Sequence, residues 1–98
     1  MFSSKEINNF IDQDYFAVIQ ATSFAITLQS RNTNHYWHIV HEVGNGYSTC
    51  QIYHKHHLHN SWHRHHNKPN LSAALEDIRS HDNFHLQREE LKRTPKQH

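Results

Sequence analysis

Ninety-eight residues suffice for one domain with a modest core, and the 35% of hydrophobic residues cluster rather than scatter. No run approaches the ~20 apolar residues of a membrane helix, and Met1-Phe2-Ser3-Ser4-Lys5-Glu6 lacks the basic-then-apolar order of a secretion signal. Net charge is only +1 with neutral histidines, and the single cysteine, Cys50, excludes an intramolecular disulfide; a cytoplasmic protein with no membrane partner is expected.

Ser4 to Ile11 reads as a short helix with Ser4 as N-cap and Ile7, Phe10 and Ile11 on one apolar face. Tyr15 to Ala21 is apolar on both faces, which predicts a strand covered on both sides. Phe24 to Ser30 alternates, with Phe24, Ile26 and Leu28 on one face and Ala25, Thr27 and Gln29 on the other, as a half-buried strand does. Arg31-Asn32-Thr33-Asn34 has turn composition. Two more strands, Tyr36 to Val43 and Tyr47 to His54, flank Gly44-Asn45-Gly46, a strong hairpin signal.

A two-residue type I′ loop at Asn45-Gly46 makes paired positions sum to 91, so Ile39 meets Ile52, His41 meets Cys50 and Trp37 meets His54. A four-residue loop at Arg31 to Asn34 makes the preceding pairs sum to 65, so Ile26 meets Ile39 and Leu28 meets Trp37. Both registers build one apolar layer, Ile26–Ile39–Ile52, flanked by Phe24, Leu28, Trp37 and Cys50; a one-residue slip would break that agreement. Lys55 to Lys68 has no clear period and reads as a loop ending at Pro69. Asn70 to His81 is the strongest helix, with Asn70 as N-cap and Leu71, Ala74, Leu75 and Ile78 as the stripe that covers the sheet. His81 would sit near its C-terminus and complement the helix dipole. Phe84 and Leu86 would fold back as an anchor. The expected architecture is therefore α+β: a three- to four-stranded antiparallel β-meander with one C-terminal helix packed on one face and a short N-terminal helix. Residues 1–86 would form the single domain and 87–98 a polar flexible tail.

Seven of the thirteen histidines fall between His54 and Lys68, a segment with Lys55, Arg64 and Lys68 and no acidic residue. Neutral imidazole ligates zinc, copper and nickel. One step past Trp37–His54, the register sets His35 opposite His56, and directly opposed Cβ atoms lie about 4.5–5.5 Å apart. His35, His54 and His56 would share a face, with His59 or His63 closing over them to bind zinc or another divalent transition metal. The spacing matches no standard zinc finger. A helical segment would instead align His56, His59, His63 and His66.

A second reading is nucleic-acid or other anion binding. Arg31, Lys55, Arg64 and Lys68 would contact phosphates, Trp62, Tyr36 and Tyr53 would stack on bases, and the solvent face with His38, Thr49, Gln51 and Tyr53 would form the platform. The helix–strands–helix order is similar to that of double-stranded-RNA-binding domains, but Asn70-Leu71-Ser72 lacks their basic helix start, and topology does not carry function. A third reading is a small nuclease using two imidazoles as acid and base. Cys50 faces inward in the register, as a core residue rather than a nucleophile, and His38 and His41 read as structural. His81-Asp82 would be an orienting pair. No nucleophile elbow, P-loop or dinucleotide fingerprint is present. The leading expectation is a non-enzymatic binding module, with the nucleic-acid-binding protein and the nuclease as alternatives. An exposed sheet edge would allow a homodimer.

Overall fold

The computed structural model describes residues 1–93. Its order is α1 (Ser4–Phe10), β1 (Phe16–Ala21), β2 (Ala25–Ser30), β3 (Tyr36–Gly44), β4 (Tyr47–Lys55), β5 (His63–Lys68) and α2 (Leu71–Arg93). The five strands form one antiparallel sheet in sequence order, one strand more than the largest number expected. α2 packs on a single face of it, against β3, β4 and β5. Among the described residues, no helix is long and apolar enough to cross a membrane.

α1 is capped one residue earlier than expected. Ser3 Oγ accepts from Glu6 N at 3.0 Å and Glu6 Oε1 accepts from Ser3 N at 3.2 Å, a reciprocal box that Ser4 would not form with a glutamate three residues on. Phe2 and Ile11 reach the core, whereas Phe10 is half exposed. β1 is an edge strand rather than one covered on both sides. Phe16 is buried, but Ile19 is 52% exposed, because no helix lies over the second face and Ile19 is the extra residue of a bulge between Val18 and Gln20.

Both deduced registers hold: Ile26 pairs with Ile39 and Leu28 with Trp37, then Ile39 with Ile52, His41 with Cys50 and Trp37 with His54. The turn between β3 and β4 is not type I′, since only Gly46 has positive φ (77°) and that type needs two such residues. Asn34, at φ 63°, closes the four-residue loop. Ile26, Leu28, Trp37, Ile39 and Ile52 are wholly buried; Phe24, just before β2, is exposed and outside that layer.

Residues 63–68, expected to be loop, are strand β5. Strand periodicity is read from apolar residues, and this strand has none. Its pairs with β4 run Gln51–Asn67 and then Tyr53–Arg64, so His65 and His66 together oppose Ile52. That bulge erases the alternation a sequence pattern would show.

Asn70 caps α2 as expected, its Oδ1 accepting from Ala73 N at 2.9 Å, and Leu71, Ala74, Leu75 and Ile78 are buried. The helix does not end at His81. It runs 23 residues to Arg93, because no glycine or proline interrupts it before Pro95. His81 is therefore mid-helix, away from the dipole's end, and Phe84 and Leu86 are exposed rather than anchoring. The expected polar tail from Gln87 lies in this helix as far as Arg93; residues 94–98 lie outside the described ones.

Candidate metal centre

The inner face of the sheet changes character along its strands. At one end lies the isoleucine layer under Leu71 to Ile78. Toward the other end, alternation on β3 brings in Trp37 and His35, and alternation on β4 brings in His54 and His56. The buried stripe of α2 changes in step. The positions that continue Ala74 and Ile78 along one helix face are His81, Asp82 and His85. A histidine-lined end of the core results, walled by Trp37.

Its geometry is close. The His54 ring stacks on the Trp37 indole (centroids 4.0 Å, planes 20° apart) and His35 stacks on His56 (4.0 Å, 11°). His54 Nε2 and His35 Nδ1 are hydrogen-bonded at 3.1 Å, which requires one N–H and one bare nitrogen. His81 meets Trp37, His54 and His65 edge-on at 5.3, 4.8 and 5.0 Å. His85 stands edge-on to His35 at 4.5 Å. One ring nitrogen each from His35, His54 and His81 lies within 4.8 Å of the others.

Burial, and then the positive charge of neighbouring imidazoles, holds His35 down to about 4 and His54 to about 3. His56, His65 and His81 are lowered too, burial being the largest cause for each. At neutral pH these rings carry bare nitrogens, the form that coordinates metals.

Asp82 pins the turn of α2 that carries His81. Fully buried, it accepts from Ser30 Oγ (2.6 Å) and the Tyr15 hydroxyl (2.8 Å) at Oδ2 and from Thr33 Oγ1 (3.1 Å) at Oδ1. Trp37 Nε1 donates to Ser30 Oγ at 3.1 Å, so the ring behind His54 joins the same network. Burial, with Asp82 alongside, pushes the Tyr15 hydroxyl up to about 12. The hydrogen bonds of the Asp82 carboxylate go to these three hydroxyls and not to the adjacent His81 ring. Cys50 is a buried core thiol whose pKa burial raises, opposite to a nucleophile's need.

His35, His54 and His56 are thus together, while His59 and His63 are exposed and neither is among the three residues whose ring nitrogens converge, although His63 pairs with His54 across the sheet. Loop 56–62 and strand β5 replace the helix that would have aligned His56, His59, His63 and His66. Missing from the sequence-derived set were His65, His81 and His85. The i, i+3, i+4 row Ala74, Ile78, His81, Asp82, His85 was the signal that pointed to the last two.

The cationic residues divide. Lys55 Nζ lies 4.4 Å over the Trp62 ring and 5.7 Å over Tyr36, and His38 lies between Trp62 (5.5 Å) and Tyr53 (6.2 Å), all on the sheet face away from α2. Arg64, paired with Tyr53, joins them. Lys68 instead pairs with Cys50 and approaches Asp77 of α2 at 3.8 Å. Arg31 donates to Gln13 O at 3.0 Å beside the turn after β2. Gln51 is buried, its amide donating to the Ile52 and His66 carbonyls, and adds nothing to the open face.

Comparison of the chain with protein-family models, with curated proteins and with solved structures finds no match. The chemistry of the side chains is therefore what speaks to function.

Proposed function

We propose that this protein is a metal-binding module that holds a divalent transition-metal ion, zinc foremost, between His35, His54 and His81. The observation that carries the reading is the convergence of three ring nitrogens, from the residue just before β3, from β4 and from α2, within 4.8 Å. At a Zn–N distance of about 2.0–2.1 Å, tetrahedral ligand nitrogens sit roughly 3.3–3.4 Å apart. The 3.1 Å between His54 and His35 is already close to that spacing. Metal would replace their hydrogen bond, with His56 or His85 near enough to supply a fourth ligand. Asp82 would support the site indirectly, by fixing the turn of α2 that carries His81 to Ser30, Thr33 and Tyr15.

Calorimetric titration of untagged protein with zinc chloride at neutral pH tests this. A tight binding event is expected that His54→Ala and His81→Ala each abolish and that His59→Ala and His63→Ala leave intact. A double variant, His54→Ala/His81→Ala, that loses no binding event relative to the wild type would dismiss the site.

The lysine–tryptophan contact on the open sheet face supports a second reading, single-stranded nucleic acid stacked on Trp62, Tyr53 and Tyr36 with Lys55 and Arg64 at the phosphates. Trp62→Ala should cost about 1–3 kcal/mol of oligonucleotide affinity, the worth of one stacked base, measured by fluorescence anisotropy. Affinity should also fall steeply with salt. Salt-independent binding, or binding indifferent to Trp62→Ala, would remove this reading.

A further inference from the structure

Adjacent residues on a regular strand point to opposite faces. His65 and His66 do not: their rings lie 4.0 Å apart, and both reach one carboxylate on α2. His66 Nδ1 is 2.8 Å from Asp77 Oδ2 and 3.1 Å from Oδ1, and His65 Nε2 is 3.3 Å from Oδ2. The β5 bulge is the cause, since it sets both histidines opposite the single inward residue Ile52.

We infer that this bulge builds a second metal site, His65–His66–Asp77, distinct from the three-histidine centre and independent of it. The three ligand atoms lie within 4.8 Å of one another. His66 pairs closely with Asp77, at 2.8 Å, whereas His65 Nε2 approaches the same Oδ2 only at 3.3 Å. His65 Nε2 is buried and has no hydrogen-bond partner, although it points to within 3.3 Å of Asp77 Oδ2. Buried polar nitrogens are seldom left unbonded, and a cation held between His65, His66 and Oδ2 would satisfy this one. Lys68 Nζ stands at 3.8 Å from the other oxygen, Oδ1, which leaves Oδ2 as the coordinating atom.

The donor set decides the class of ion. Two imidazoles and one carboxylate suit a divalent first-row transition metal and leave coordination positions open, as in the two-histidine, one-carboxylate triad. Here the open side is at His66, whose side chain is 55% exposed. An exogenous ligand would therefore reach this metal from solvent, whereas His35 and His54 enclose theirs.

The rings of His65 and His81 are only 5.0 Å apart, so the two sites are neighbours and the test must separate them. Asp77 and His66 belong to the second alone, and His35 and His54 to the first alone. Zinc is titrated into the full chain by calorimetry, with cobalt(II) absorption as a second readout and far-UV circular dichroism as the check on folding. The wild type is expected to show two binding events. Asp77→Asn and His66→Gln should each lose the same one and keep the other; His35→Ala/His54→Ala should show the reverse. His66 is exposed, so His66→Gln probes the site without removing a core side chain. A single event in the wild type that Asp77→Asn and His66→Gln abolish would support this site and defeat the three-histidine centre. Wild-type binding events and cobalt spectrum in both Asp77→Asn and His66→Gln would overturn the second site.

Discussion

At the scale of single residues, His54 shows how a polar side chain becomes core. Trp37 covers one side of its ring, His35 bonds its Nε2, and only 9% of the residue is exposed. A proton there would have to enter a site without a facing anion. The groups around His35 and His54 are His56, His57, His65, His81 and His85, and the carboxylates stand behind these rings: Asp77 at His65, Asp82 next to His81, and Glu89 at 3.9 Å from His85. Both rings take up protons more readily in the unfolded chain, near pH 6.5, than in the folded one, at about 4 and about 3. Where the unfolded state binds more protons, stability rises with pH. Their contribution is thus fully present above about pH 6.5 and is lost as pH falls from there through about 4 for His35 and about 3 for His54. Metal-free protein in chelator should accordingly need less urea to unfold at pH 5 than at pH 7.5. One pKa displacement of a unit corresponds to about 1.4 kcal/mol, so two such rings weigh heavily in a domain stable by roughly 5–15 kcal/mol. Equal urea midpoints at the two pH values would show that these rings are not buried neutral.

At the scale of elements, some segments announce themselves and others do not. α2 begins where Asn70 and the leucine stripe place it, because capping and burial both act within a few residues. Asn70→Ala should lower stability by about 0.5–2 kcal/mol while Asn70→Ser stays near wild type, as read by denaturant unfolding. Indistinguishable Ala, Ser and wild-type proteins would mean that the 2.9 Å cap bond does not matter. The far half of α2 was hidden because histidine and aspartate replace apolar residues in its buried row, and a stripe read by hydrophobicity stops at Ile78. Strand β5 was hidden for a related reason: His63-Arg64-His65-His66-Asn67-Lys68 carries no apolar residue, and its bulge breaks the period. β1 erred in the opposite direction. Its apolar sequence suggested two covered faces, but coverage depends on where the helices lie, which is not a local property.

For the whole molecule, the meander was legible because two short turns independently imposed registers that agreed on one layer, Ile26–Ile39–Ile52. The candidate centre was legible only in its sheet-borne half. His35, His54 and His56 follow from strand register, whereas His81 enters from a helix whose angle and length no turn determines. Asp82 was likewise out of reach, since its three hydroxyl donors, Tyr15, Ser30 and Thr33, lie about fifty or more positions earlier in the chain.

The two outermost strands share a defect with a benefit. Each carries one residue too many for its neighbour, Ile19 in β1 and the His65–His66 pair in β5. An open sheet ordinarily offers each border as a template on which another chain can lay down hydrogen bonds, and fibrils grow that way. A kinked border with an extra residue offers a broken template, and Arg64 and Lys68 add charge repulsion along one of them. The irregularity that gathers imidazoles around Asp77 thereby also makes the outer strand a poorer template for polymerisation.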